Sequence, residues 1–498
     1  MQNKQQRKIW SSLCCAACCV FTLLSEPAMA RRASIETPPD NSGPLHLMSA
    51  SFLGGAADEE IIGCQIGLDD AVVLAGNAGP LTLKGAASSS LTGVNAAKQN
   101  PCGFLAFLAP EAKAARRLIR FDGATLRRLQ ADAQGALYVM GDAKIPLTLG
   151  AAQGTGTFIA RISPDGGKVT GAIFPAGLVR DFGVDGNGEI IVLSWVALSR
   201  YAFGTVAPKW RATWDAQGEN RPGGVTVSPE TGITVVVGYG MTNTGHEPYK
   251  DPYARGFDRN GKLIYTLWNP DPKREAGTQY GGNGLMADTT GSDAGLDGRG
   301  NPVLMLFADG GNTVGMRDPF DVKNLLDASV TEGVFQRTAG FGFHGASRTS
   351  LIYEIAPDTG KPKKATWMSA WISPAHANAL TIRGVTGDAA GSLFVVGDSA
   401  YGCPTLKPWY TASDGGYLGG GFLACFDANF KMRQCGYFPG ASLSCVACRN
   451  NYVVVAGTAT QGDTDKTGAI HDKTPLFRAL QPDFGGGKQD AYFAVFKK

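Results

Sequence analysis

Histidine is scarce in this chain of 498 residues: His46, His246, His344, His376 and His471 are the whole complement, and none stands in an HxH or HxxxH pair. Zinc sites normally show at least one close ligand pair, so the five read as ordinary surface residues and no metal site is implied. A GxSxG element is missing as well. The glycine-rich stretches at Gly415-Gly416, Gly419 to Gly421 and Gly485 to Gly487 lack the Lys-Ser/Thr ending that would make a phosphate loop. At this level no catalytic residue and no cofactor is named. Excess charge of one sign is also absent. With Lys4, Arg7, Lys8 and Glu26 of an N-terminal leader set aside, the 46 basic and 43 acidic residues become 43 and 42, a balance that argues against nucleic acid or anionic lipid as the main partner. Beyond that leader no apolar run approaches the roughly 20 residues of a helical membrane span.

The leader itself has the three parts of a secretory signal peptide over residues 1–30: basic Lys4, Arg7 and Lys8, an apolar stretch from Ile9 to Leu24, and the small-residue site Ala28-Met29-Ala30. Export to the periplasm or the extracellular space is expected, with 31–45 as a flexible leader and 46–498 as a single domain. Four of the eleven cysteines (Cys14, Cys15, Cys18 and Cys19) fall in the signal. The remaining seven are Cys64, Cys102, Cys403, Cys425, Cys435, Cys445 and Cys448, and an odd set cannot pair completely within one chain. Cys425 and Cys435 flank a turn centred near Asn429 and Phe430, so they are expected to face each other as a disulfide in an oxidising compartment. Cys445-Val-Ala-Cys448 has neither a second such pair nor a following helix, and reads as structural.

What the chain has in abundance is a weak signature that returns seven times. A turn of Asp, Asn or Gly is followed by a short β-branched and aromatic run, usually closed by Gly: GLDDAVVLAG at 67–76, DAQGALYVMG at 132–141, DGNGEIIVLS at 185–194, SPETGITVVVG at 228–238, DGRGNPVLMLF at 297–307, DAAGSLFVVG at 388–397 and CRNNYVVVAG at 448–457. Downstream of most copies lies a second strand pair about a Pro-Asp-Gly type of turn, as in FIARISPDGGKVTGAIF at 158–174 and FLACFDANFKMRQCGYF at 422–438. Signature plus partner makes four antiparallel strands, and recurrence without helical patterning between copies predicts an all-β, seven-bladed β-propeller. The last copy has only one strand after it, Ala491 to Lys498, while Leu47 to Leu53 is an orphan strand before the first. Pairing these two closes the ring and leaves no unpaired edge. Asp185-Gly-Asn-Gly-Glu189 falls short of a calcium loop and reads as a strand turn.

The segments SASFLGG at 49–55, PLTLKGA at 80–86, PLTLGAAQ at 146–153 and QDAYFAVF at 489–496, together with the GNxYVxG-like signatures, resemble the bacterial SBBP β-propeller repeat family. The resemblance covers most of the mature chain and is most specific in blades 1, 2, 6 and 7. Blade 3, with Ser194 where the closing Gly belongs, departs furthest. The family implies the fold and export, and brings no catalytic residues with it.

Long segments follow the second strand of a blade at about 77–101, 142–155, 239–252, 308–348, 398–420 and 458–488, and a further stretch, 269–290, joins blades 4 and 5. In an antiparallel blade these connections leave on one face, so the elaboration is expected to crowd one mouth of the propeller and to make the functional surface. Aromatic residues in the blade 6 segment (Tyr401, Trp409, Tyr410 and Tyr417) and near the blade 4 segment (Tyr249 and Tyr253) are candidate ligand contacts, although packing the loop onto its own blade is the commoner role of such rings. Deleting 400–418 is expected to leave stability nearly unchanged. The leading functional expectation is an exported non-catalytic binding or scaffold protein that holds an extracytoplasmic polymer, peptide or protein, with no nucleic acid and no membrane span. The alternative is a propeller enzyme (a polysaccharide lyase, hydrolase or quinone-dependent dehydrogenase) with its site over the central channel. An enzyme should converge ionisable groups there, whereas a binder should offer a broad face.

Overall fold

Four of the signature turns share one Asp-anchored geometry, which makes a short strand fold back on the next. Asp132, Asp185, Asp297 and Asp388 each accept through Oδ1 a hydrogen bond from the backbone N–H four residues on, at 2.7–2.9 Å. Gly135, Gly188, Gly300 and Gly391, three residues on, take φ values of +73° to +88° that a side chain would resist. Asp185-Gly-Asn-Gly-Glu189 is one of these turns.

A computed structural model describes residues 38–91, 102–205, 207–214, 221–241, 250–268, 288–309, 314–322, 324–333, 348–374, 376–411, 419–464 and 467–498. Seven antiparallel four-stranded sheets stand in a ring, a seven-bladed β-propeller. From the inside outward, blade 1 is Glu60–Ile66, Val72–Ala78, Cys102–Leu108 and Ala115–Phe121; blade 2 is Ala124–Ala131, Leu137–Leu149, Ala152–Ile162 and Val169–Ile173. Blade 3, the weakest in sequence, is complete as Val179–Val184, Ile190–Ser194, Ala197–Tyr201 and Trp210–Thr213. Blade 4 is Arg221–Val227, Thr234–Met241, Lys250–Phe257 and Leu263–Leu267; blade 5 is Thr289–Leu296, Pro302–Ala308, Thr349–Ile355 and Pro362–Met368. Blade 6 is Leu380–Gly387, Leu393–Ser399, Gly420–Phe426 and Met432–Pro439. Blade 7 takes Ala441–Arg449, Tyr452–Ala459 and Asp490–Lys497, and its outermost strand is the N-terminal His46–Leu53. That last pairing runs from His46 opposite Lys497 to Leu53 opposite Ala491, as the orphan-strand reading expects.

Apolar residues on both faces of the second and third strands build seven clusters, each wedged between two neighbouring blades. The one between blades 7 and 1 joins Ile61, Leu74 and Phe104 to Val454, Phe493 and Val495, so the seam is packed like every other joint. Three expected loops are partly strand; within 458–488, Gly462–Thr464 pairs with Ile470–Lys473. The 142–155 segment is an extended hairpin because buried Leu147 and Leu149 carry the second strand of blade 2 onward. Within 77–101, Ala87–Ser90 pairs parallel to Arg117–Arg120 as a fifth strand on the outer edge of blade 1.

The expected Cys425–Cys435 disulfide is overturned by register. Phe426 lies opposite Met432, but a bulge then places Cys425 opposite Gln434 and Ala424 opposite Cys435. Cys425 and Cys435 thus leave the hairpin on opposite faces, Cys425 into the core between blades 6 and 7 and Cys435 into that between blades 5 and 6. Neither is bridged to the other.

Candidate functional site

The innermost strands share a detail that shapes the central channel. In all seven, one residue bulges out of the pairing with the second strand: Ile62, Arg127, Arg180, Gly223, Ser292, Arg383 and Ser444. A bulge re-aims the side chain after it. The next residues form a ring of Gly63, Arg128, Asp181, Gly224, Asp293, Gly384 and Cys445, which lines a channel cavity of ≈ 380 Å³ or abuts it.

Three of those ring residues bind one another across blades. Arg128 donates from Nη1 to Asp293 Oδ2 at 2.7 Å and from Nη2 to Asp293 Oδ1 at 3.3 Å, and its Nε lies 3.4 Å from Asp181 Oδ1. Asp181 Oδ2 accepts from the Val225 N–H at 3.0 Å, tying in blade 4. Burial pushes the Asp181 carboxyl up to about 6; Arg128 opposes this and the Asp293 charge reinforces it. Burial disfavours charge on Arg128 too, but Asp181 and Asp293 outweigh it and hold the guanidinium protonated. One cation between two carboxylates therefore braces blades 2, 3 and 5.

The bulged arginines stand one residue nearer the loop-bearing face. Arg127 pairs with Asp142 at 2.9 Å and donates to the Val179 carbonyl at 3.0 Å. Arg180 lies 4.7 Å over the Trp195 ring. Arg383 donates to Asp398, whose other oxygen, Oδ1, is buried without a hydrogen-bond partner.

Asp398 in turn lines a larger cleft of ≈ 650 Å³ between blades 6 and 7, on the face where second strands connect to third strands. Thr381, Ser399, Ser442, Thr458, Thr460 and Thr464 supply hydroxyls, and Gly419, Gly420, Gly440 and Gly462 supply bare backbone. Asp463 sits among them, accepting from the Tyr437 hydroxyl and from the Gly440 N–H at 2.5 Å. Burial raises its carboxyl above the usual range against both of those hydrogen bonds.

Among the described residues, the aromatic candidates line neither cavity. Trp409 is 1 % exposed, stacked among Phe438 and Phe496, with its indole N–H on the Leu45 carbonyl at 2.8 Å. Tyr253 is fully buried, so neither ring has surface to offer a ligand, and both leave the set of contact residues. Tyr401 and Tyr410 are half-buried, Tyr410 against the core between blades 6 and 7. Tyr249 and Tyr417 lie outside the described residues, as do His246 and His344. His46, His376 and His471 stand on three separate strands, and among the described residues no three His, Cys, Asp or Glu side chains group as a metal set.

The role of Tyr253 belongs to a pattern that the sequence reading missed. The closing glycines Gly76, Gly141, Gly238, Gly397 and Gly457 pair across to Phe104, Phe158, Tyr253, Phe422 and Tyr492 on the third strands. On the other side each glycine abuts a carbonyl beside the inner-strand bulge, where an added Cβ would sit 1.9–2.4 Å from oxygen. The glycine makes room for the bulge, and the aromatic ring covers the space left by the missing side chain. An aromatic residue with Ala two places on, as in Phe104-Leu-Ala and Phe422-Leu-Ala, was the available signal.

No family model matches the chain, and no curated protein matches it. Among solved structures it is similar to Raptor of Chaetomium thermophilum, at 10% identity over 91% of this chain with a TM-score of 0.43. It is also similar to a protein of unknown function from Dyadobacter fermentans, at 10% identity over 91% of this chain and 99% of that one, with a TM-score of 0.38. The chain spans 29% of the Raptor chain. Likeness at this level bears on neither activity nor partner.

Proposed function

We propose that this chain is an exported, SBBP-like, non-catalytic binding or scaffold protein that holds an extracytoplasmic polymer, peptide or protein on its loop-bearing face. The observation carrying this reading is the cleft between blades 6 and 7, whose hydroxyls, bare glycine backbone, Asp398 and Asp463 offer many hydrogen-bond donors and acceptors. Such a lining suits a polar chain, a polysaccharide above all, because many hydrogen bonds to hydroxyls give orientation without requiring an apolar anchor. Titration calorimetry of the mature chain against soluble polysaccharides is expected to find one that binds, and Thr381→Ala with Gln489→Ala to weaken it at least tenfold with unchanged melting. Binding that ignores both substitutions refutes the cleft, and cleavage of the bound polymer refutes the non-catalytic reading. Mass spectrometry of the exported chain should find it beginning near Arg31.

The enzymatic alternative draws support from Arg128, Asp181 and Asp293, which do converge at the channel. Their charges are taken up by one another, which fits a brace better than an acid–base pair. Turnover of any polysaccharide that Asp293→Asn abolishes would favour the enzyme.

A further inference from the structure

With Cys425 and Cys435 on opposite faces, the seven thiols group differently. Cys64 is on the innermost strand of blade 1 and Cys445 on that of blade 7, facing each other across the seam where the chain's first and last blades meet. The two strands are joined there by the Ser444 hydroxyl, which donates to the Ile61 carbonyl at 2.9 Å. Both sulfurs rest on one strand of blade 7: Cys64 Sγ is 3.6 Å from the Val454 carbonyl and Cys445 Sγ is 3.5 Å from the Ala456 carbonyl. Val454 and Ala456 are two residues apart and so point the same way. After burial, Cys445 is the neighbouring group that raises the Cys64 thiol, so the two sulfurs act on each other across the seam.

A second pair has the same character. Cys435, fully buried on the outermost strand of blade 6, exchanges backbone hydrogen bonds of 2.8 and 2.9 Å with Leu406, which holds the 403–406 segment alongside that strand. The neighbouring Cys403 thiol, together with burial, raises that of Cys435. In each pair one sulfur is buried (Cys64, Cys435) and the other half-exposed (Cys445, Cys403), and Cys445 and Cys64 both line the channel cavity.

We infer that Cys64–Cys445 and Cys403–Cys435 are the disulfides of the exported protein, the first bonding blade 1 covalently to blade 7. The oxidant is a disulfide, either a thiol oxidoreductase or oxidised glutathione. The thiolate of the half-exposed cysteine attacks one oxidant sulfur, forming a mixed disulfide and releasing the other sulfur as a thiolate. The buried partner then attacks the mixed disulfide, closes the protein bridge and releases the second thiolate. The oxidant leaves as two thiols carrying the two protons, so each bridge removes two protons and two electrons from the protein. Burial pushes the Cys64 thiol well above its ordinary range, so the half-exposed member is the one that meets the oxidant. The Cys64–Cys445 bridge closes nearly the whole ring, where a crosslink constrains the unfolded chain most.

The inference relies on export for its oxidising compartment, and the test separates the two. The full mature chain, purified reduced and folded, is incubated with oxidised glutathione and digested without reduction. Peptides joining Cys64 to Cys445 and Cys403 to Cys435 are expected, with a melting temperature that falls again on reduction. Cys445→Ser is expected to abolish the first linked peptide and most of that shift; Cys64→Ala serves as the second variant should the first fold poorly. Linkage of Cys425 to Cys435 or to Cys448 instead, or an unchanged mass after incubation, overturns the pairing. If the bridges form in the tube while the chain isolated from its cells, with thiols blocked at lysis, carries free thiols inside the cytoplasmic fraction, the export reading fails and the pairing stands.

Discussion

Glycine at the end of a signature is a steric requirement set by a bulge in another strand. At Gly457 an added methyl would lie 1.9 Å from the Ser442 carbonyl, a contact that only a shift of the inner strand relieves. Gly457→Ala is expected to cost roughly 1–3 kcal/mol, the usual range for overpacking, read as a lower urea midpoint with an unchanged slope. The same scale holds the charge brace in the channel. The folded carboxyl of Asp181 sits above its unfolded value of 3.8, at about 6. Its stabilising contribution is therefore complete below the unfolded pKa and is lost as pH rises through about 6. Asp181→Asn keeps an acceptor for the Val225 N–H and leaves Arg128 paired with Asp293. The variant should gain on the wild type between about pH 4 and pH 7, by roughly 1–3 kcal/mol for one to two pKa units. Urea midpoints across that range decide it: a wild type that gains on the variant as pH rises contradicts the assignment.

Loops behave here as parts of the core. The blade 6 segment holding Trp409 reaches the N-terminal strand through the Leu45 carbonyl, and the Asp40 N–H donates back to the Trp409 carbonyl at 2.8 Å. Gln434 of the same blade accepts from the Leu45 N–H at 2.9 Å. The expectation that 400–418 could be removed without loss of stability does not survive these contacts. Trp409→Ala is expected to cost about 3–5 kcal/mol, as for other buried aromatic truncations, and calorimetric melting should show it with no ligand present. At this scale the long connections share one face by topology, while Trp409, the buried aromatic of the blade 6 segment, serves packing.

Closure of the ring depends on two chain ends that are far apart in sequence. Removing residues 1–53 would leave the strand Asp490–Lys497 as an open edge on blade 7 and uncover Phe493 and Val495 in part. The truncated chain is expected to associate through that edge, and light scattering after size exclusion should find dimers or larger species. A monomer of unchanged melting temperature would mean that the seam contributes little. Next to that strand, Glu59 and Asp490 are buried near each other around Gly54, and burial pushes their carboxyls up to about 7 and about 6. Each contributes stability that is present below its unfolded pKa and fades as pH rises through those values. Glu59→Gln, neutral throughout, should show a shallower loss of melting temperature between pH 5 and pH 8 than the wild type.

Much of the architecture is a property of local sequence. Asp-x-x-Gly turns and β-branched runs depend on residues within five positions of each other, so seven hairpins, the four-stranded blade and the orphan N-terminal strand are legible without coordinates. Even the weak blade 3 obeys, because the turn at Asp185 survives where the closing glycine does not. Register is different. One extra residue in the Cys425 hairpin moves a thiol from one face to the other, and the turn residues by themselves do not record that shift of register. The ring of Arg128, Asp181 and Asp293 is hidden for the same reason: its members are 53 and 112 residues apart and meet only because bulges at the same height in separate blades turn them toward one axis. Whether an aromatic ring faces solvent or core was likewise decided by neighbours from other blades, which is why Trp409 and Tyr253 belong to the packing and the cleft between blades 6 and 7 is built mainly of hydroxyls, glycines and carboxylates.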